Sequence, residues 1–71
     1  MSNEFLAKLS EALDAETTLT IETNLDEIEG WDSLGILSVI GLIETYRNDI
    51  ELQSIYDSKT VGDLMNLALN E

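Results

Sequence analysis

The sequence contains no cysteine, no histidine and no proline, and only three of its 71 residues are basic. Each absence removes a class of chemistry. Without cysteine there is no disulfide framework, no thiolate metal site and no cysteine nucleophile. Without histidine there is no Ser-His-Asp triad, no imidazole-bound metal and no ordinary acid-base switch near neutrality. Three bases cannot neutralise many phosphates, which argues against nucleic acid and anionic membranes as partners. Long hydrophobic runs are missing too. The longest apolar stretch, Leu34 to Ile43, is ten residues and includes Ser38, Gly35 and Gly41, where a membrane span needs about twenty. Met1-Ser2-Asn3-Glu4 shows neither the basic start nor the apolar core of a signal peptide. Cytoplasm is therefore the expected compartment.

What the chain does have is acid and apolar residues. Fifteen acids leave a formal net charge of −12, yet 44% of the residues are hydrophobic. That is too apolar for a disordered acidic tail. The length suits one small domain, whose core would supply only about 3–5 kcal/mol of net stability. Repulsion among the acids works against that core, so salt is expected to stabilise the fold. The charge is unevenly placed. No base stands between Lys8 and Arg47, and that stretch holds nine acids: Glu11, Asp14, Glu16, Glu22, Asp26, Glu27, Glu29, Asp32 and Glu44. Such a run is either a solvated face or a docking field for basic enzymes.

Apolar spacing predicts helices. Phe5, Leu6, Leu9, Ala12 and Leu13 recur at intervals of three and four, one helix face over roughly 3–14. Ser2 or Asn3 can cap its start. A polar region from Ala15 to Asp32 follows, long for an unstructured connection, with Leu19, Ile21, Leu25 and Ile28 as expected pins. Asp32 and Ser33 are both good cap residues for a second helix, apolar nearly all round from Leu34 to Glu44 and extending through Thr45-Tyr46-Arg47. Gly35 and Gly41 each cost that helix about 1 kcal/mol relative to alanine, and could let another surface approach closely. Ile50 and Leu52 are expected as buried anchors, and Gln53 to Ser58 as one helical turn with Ile55 and Tyr56 inward. Thr60-Val61-Gly62-Asp63 resembles a capping box with aspartate in place of glutamate. Val61, Leu64, Met65 and Ala68 place the last helix at about 60–69. The fold expected is all-α, a small antiparallel bundle of three main helices and one short one.

Candidate chemistry is sparse. An EF-hand register with Gly30 sixth puts Leu25 at the first ligand position and Ile36 at the twelfth, which the motif does not allow. Paired-carboxylate hydrolysis needs a cleft and an acid of raised pKa, and nothing beyond local spacing pairs any acids here. The remaining candidate is Ser33, where loop becomes helix. A serine there is an ordinary cap, a phosphorylatable hydroxyl, or the anchor of a phosphate ester that the helix N-terminus would favour.

Gly30-Trp31-Asp32-Ser33-Leu34 resembles the attachment motif of acyl carrier proteins, in which Asp-Ser-Leu opens the second helix. The resemblance extends over the chain: an amphipathic first helix, an acidic loop holding Leu25-Asp26-Glu27-Ile28, an apolar second helix, a short third, and Thr60-Val61-Gly62-Asp63-Leu64 at the start of the last. It implies a single carrier domain over 1–71 that catalyses nothing itself. A phosphopantetheinyl transferase would move 4′-phosphopantetheine from coenzyme A onto Ser33. The arm's thiol would then hold acyl or aminoacyl groups as thioesters for acyl-loading, condensing or acyl-transfer enzymes with basic docking surfaces. A monomer is expected. The resemblance assigns Asp32 to orienting the transferase or its metal ion, and Leu34, Ile36, Leu37 and Glu44 to motif and partner contacts; for Leu34, Ile36 and Leu37 the alternative is core packing.

The second helix departs from the family. Fatty-acid carriers follow Asp-Ser-Leu with an acid and add further acids along the helix. Here Gly35 follows, Ile36, Ser38 and Gly41 stand at later positions, and Glu44 is the remaining acid. Tyr46 replaces the usual late aromatic one residue early. These differences point to a dedicated polyketide, peptide or surface-glycan pathway, and Gly35→Asp is expected to improve use by fatty-acid enzymes. The alternative is a small helical protein-interaction module with the carrier fold and an unmodified Ser33.

Overall fold

The computed structural model describes residues 2–15 and 18–69, residue 2 by its backbone only. The capping expected of the Ser2 side chain and the charge of Glu16 lie outside the described residues. Four helices make up the fold: α1 (Ser2–Leu13), α2 (Ser33–Glu44), the short α3 (Leu52–Asp57) and α4 (Val61–Leu69). A single 3-10 turn at Leu25–Glu27 interrupts the first connection. Among the described residues there is no strand, and the helices form a small all-α bundle. Helix α1 packs on α2 and α4, α2 on α4, and α3 on α4.

Helices α1 and α4 bury residues of the stripes that their periodicity predicts, whereas α2, apolar nearly all round, buries one side only. Phe5, Leu9 and Leu13 of α1 face inward, as do Val39 and Ile43 of α2 and Val61, Leu64, Met65 and Ala68 of α4. Asn3 lies inside α1 rather than capping it. Helix α1 stops at Asp14, whose φ of 51° is left-handed. The amides of Asp14 and Ala15 donate to the carbonyls of Glu11 and Ser10, at 3.2 and 2.9 Å. These two bonds satisfy carbonyls that the helix end would otherwise leave orphaned. Helix α2 ends at Glu44 rather than running on to Arg47; after it the Thr45 hydroxyl donates to the Leu42 carbonyl at 2.6 Å, and the Tyr46 and Arg47 amides both donate to the Ile43 carbonyl. Just beyond, the Tyr46 ring packs edge-on against Phe5, with centroids 5.6 Å apart.

The long first connection is held in two ways. Leu19, Leu25 and Ile28 are buried as pins. Ile21 is not; its side chain is 55% exposed. Its backbone does the pinning instead, since the Ile21 carbonyl accepts the Gly62 amide at 2.9 Å. The Val61 amide likewise donates to Thr23, and the Leu25 amide to Lys59, around an antiparallel bridge between Asn24 and Thr60. Two further expectations fail for a related reason. Leu52 and Tyr56 are exposed, whereas Ile50 is half-buried against the core and Ile55 is buried. A six-residue helix has room for little inward surface, and Ile55 takes it.

At the start of α4 the capping box forms with aspartate. The Asp63 amide donates to the Thr60 hydroxyl at 3.2 Å, and the Asp63 carboxylate accepts the amides of Lys59 at 2.9 Å and Thr60 at 3.2 Å.

Candidate functional site

The candidate site is the junction of the first connection with α2. Trp31 packs partly against the core. Asp32 is extended and caps the helix: its Oδ1 accepts the Gly35 amide at 3.0 Å, and its carbonyl accepts the Ile36 amide at 2.8 Å. Only one of the two cap candidates can hold the cap position, and it is Asp32. Ser33 becomes the first helical residue. It is exposed, and among the described residues its hydroxyl makes no hydrogen bond. The amides of Ser33 and Leu34 belong to the first turn, whose N–H groups have no helical acceptor.

Beside Ser33 the surface is apolar. Leu34 is 75% and Leu37 61% exposed, so Leu37 is not core. Ile36 is half-buried and packs against the core. Glu44 is exposed at the far end of α2. The second-helix glycines have opposite surroundings. Gly35 is buried, and a Cβ there would overlap the Gly30 carbonyl oxygen and come within 3.0 Å of Leu13 Cδ2. The surface that Gly35 admits is therefore the chain's own, and the space needed by Gly35→Asp is absent. A Cβ on Gly41 would meet nothing within 4 Å.

Around this junction Asp26, Glu27, Glu29 and Asp32 are all exposed. Two of the three bases are held elsewhere. Lys8 pairs with Glu4 at 3.1 Å on α1, and Arg47 pairs with Asp49 at 3.0 Å after α2. The Glu4 carboxylate, then Tyr46, raises the Lys8 pKa; the Arg47 guanidinium, through its hydrogen bonds, lowers that of Asp49. Among the described residues no group of three or more acids could hold a metal ion. No helix there is long and apolar enough to cross a membrane. A cleft of about 430 Å³ opens behind Gly30, lined by Leu13, Leu19 and Ile28 together with Asp14, Glu27 and Glu29. It does not include Ser33, Leu34 or Leu37.

The structure thus brings Asp32, Ser33, Leu34 and Leu37 together at one end of α2, sets Ile36 against the core and leaves Glu44 at the other end. What spacing alone does not reveal is the packing of Gly30 on Gly35, because it joins two backbones rather than two side chains. No family model, curated protein or solved structure matches the chain.

Proposed function

We propose that this chain is an acyl or aminoacyl carrier protein that receives 4′-phosphopantetheine on Ser33. The observation that supports the reading is the state of the Ser33 hydroxyl: exposed, unbonded and relieved of capping by its neighbour Asp32. A serine needed only as a cap would sit one residue earlier and point its oxygen at the helix amides. The surroundings fit the proposed group. A phosphodiester at this oxygen would lie at the start of α2, where free amides and the helix dipole favour an anion. Asp32 binds the Gly35 amide through Oδ1, and its Oδ2 is the atom offered to a transferase or its ion. Once attached, the arm supplies the thiol that the chain itself lacks, and cargo is held there as a thioester.

The same reading supplies the finer roles. The partners are a phosphopantetheinyl transferase and the acyl-loading, condensing or acyl-transfer enzymes of a dedicated pathway, meeting the acidic loop through basic surfaces. The carrier works as a monomer in the cytoplasm, tethering its substrate at high effective concentration, and performs no catalysis of its own. Intact mass after co-expression with a broad-specificity phosphopantetheinyl transferase tests the proposal. One phosphopantetheine should add to the wild type and none to Ser33→Ala. A wild type that stays unmodified would leave the protein-interaction module as the better account.

A further inference from the structure

Helices α2 and α4 both open on a polar cap and then differ at the third helical residue. In α4 the cap is Thr60, and Asp63 closes the box by accepting the Lys59 and Thr60 amides. In α2 the cap is Asp32, and the residue at the place of Asp63 is Gly35. An acid there would meet the positive end of the helix dipole and complete a box, and glycine disfavours a helix. The start of α2 therefore forgoes stability that the start of α4 takes. What it has instead is a close approach. The Gly30 carbonyl oxygen fills the space of a Gly35 side chain, with Leu13 Cδ2 3.0 Å from the same point. That oxygen also accepts the Asp32 amide at 2.9 Å, a tight turn about Trp31. The Asp32 carboxylate in turn accepts the Gly35 amide at 3.0 Å. Gly30, Asp32 and Gly35 thus close a ring, and the span between Asp32 and Gly35 carries Ser33 and Leu34, both exposed.

We infer that Gly35 is a positioning residue for Ser33: by lacking a side chain it lets the Gly30 carbonyl close on the first turn of α2, and so fixes the backbone that presents the hydroxyl. The inference rests on the carrier reading. In loading, the Ser33 oxygen bonds to the phosphorus of coenzyme A that bears the pantetheine. The bond from that phosphorus to the oxygen of adenosine 3′,5′-bisphosphate breaks, and the serine proton leaves. The attacking oxygen and the phosphorus must meet in line, and a misplacement of about 1 Å can cost about a hundredfold in rate. A side chain at position 35 drives the Gly30 oxygen away and takes the Asp32 amide bond with it. Asp32 adjoins Ser33 in the chain, so the displacement passes directly to the nucleophile. Gly35 itself is buried, so no enzyme reads it by touch. Its effect falls on the chemical step rather than on docking.

The test compares the intact wild type with three variants. Gly35→Ala fills the approach, Gly41→Ala makes the same change at an open site of the same helix, and Ile55→Val thins the core at α3. Each is loaded from coenzyme A by a purified broad-specificity phosphopantetheinyl transferase and followed by intact mass, at a temperature where circular dichroism shows it fully folded. Gly35→Ala should lose about tenfold or more in kcat, with its KM within about twofold of wild type. Gly41→Ala and Ile55→Val should keep the wild-type kcat, although Ile55→Val melts lower. A merely structural glycine would lower the melting temperature and leave kcat alone; that result overturns the inference while the carrier reading stands. A raised KM at unchanged kcat would make Gly35 a docking contact and overturns it as well. If Gly35→Ala alone does not fold, the comparison moves to the Gly41→Ala background, which favours the helix. A chain still unfolded there makes Gly35 a requirement of folding and overturns the positioning role. A wild type that is never loaded overturns the carrier reading and this inference with it.

Discussion

The carbonyl oxygen of Gly30 occupies the space where a side chain on Gly35 would begin, and the backbone of Leu13 fills the corresponding space at Gly30. The end of α1, the acidic connection and the first turn of α2 therefore stack backbone on backbone. This stacking sets where Ser33 stands. It also changes the meaning of Gly35. The acid that fatty-acid carriers place after Asp-Ser-Leu has no room in this fold, so its absence is a packing requirement.

Gly35→Ala should accordingly destabilise the protein by about 1–3 kcal/mol, the usual cost of overpacking, and Gly35→Asp by more, since it also buries a charge. Gly41→Ala should do the reverse and gain helix stability of about 1 kcal/mol. Urea unfolding of the three variants checks the contrast. Gly35→Asp as stable as wild type would contradict the stacking.

The division of labour between Asp32 and Ser33 gives a second expectation. Asp32→Ala removes the cap and should cost about 0.5–2 kcal/mol. Ser33→Ala exchanges one first-turn residue for a better helix former and should stay within about 0.5 kcal/mol of wild type, while abolishing phosphopantetheine loading. Equal losses of stability in the two variants would show that the serine shares the capping.

Asp14 is a site of improvement. It holds a left-handed φ of 51°, which an L-residue other than glycine adopts at a cost. Its carboxylate also stands at the C-terminus of α1, where the helix dipole disfavours negative charge. Asp14→Gly should raise stability by about 1 kcal/mol. Asp14→Asn, which removes the charge and keeps a side chain that the left-handed region tolerates, should give part of that gain. Melting by circular dichroism measures both, and a lowered melting temperature for both variants would refute the account.

Asp63 should leave a mark on the pH dependence. Hydrogen bonds from the Lys59 amide, then the Thr60 amide, hold its pKa below the ordinary value of 3.8. A depressed folded pKa means that its stabilisation is fully present above the unfolded value and is lost as pH falls through the folded value. The stability difference between wild type and Asp63→Asn should therefore be steady from pH 7 to about 5 and shrink below about pH 4. A difference that holds constant down to pH 2 would mean that the carboxylate charge contributes nothing to the box.

Some of this architecture was legible in the sequence and some was not. Phe5-Leu9-Leu13 and Val61-Leu64-Met65-Ala68 announce their helices because each stripe alternates with polar residues at helical spacing. The Thr60–Asp63 box is local, so four consecutive residues suffice to read it. In α2 the periodicity fails as a guide to orientation. Leu34 and Leu37 are as apolar as Val39 and Ile43, yet the first two face outward and the last two inward. Ile21, Leu52 and Tyr56 mislead in the same way, since an apolar residue outside a periodic stripe says nothing about which way it turns. The motif singles out Ser33 as a candidate, and the structure adds that it is exposed at the start of α2. Which of Asp32 and Ser33 caps the helix depends on backbone geometry that both residue types would accept.

The backbone bridge between Asn24 and Thr60, with its bonds from Leu25 to Lys59 and Val61 to Thr23, closes a ring of chain that contains all of α2 and α3. Closing so long a ring costs entropy before any of its bonds can repay it, so the clasp is expected to form late in folding, after the helices have begun to pack. Its opening, in turn, frees both ends of the ring together. Amides of Leu25, Val61 and Gly62 should then exchange as one group, and the start of α4, far along the chain, helps to hold the loop that leads into Ser33.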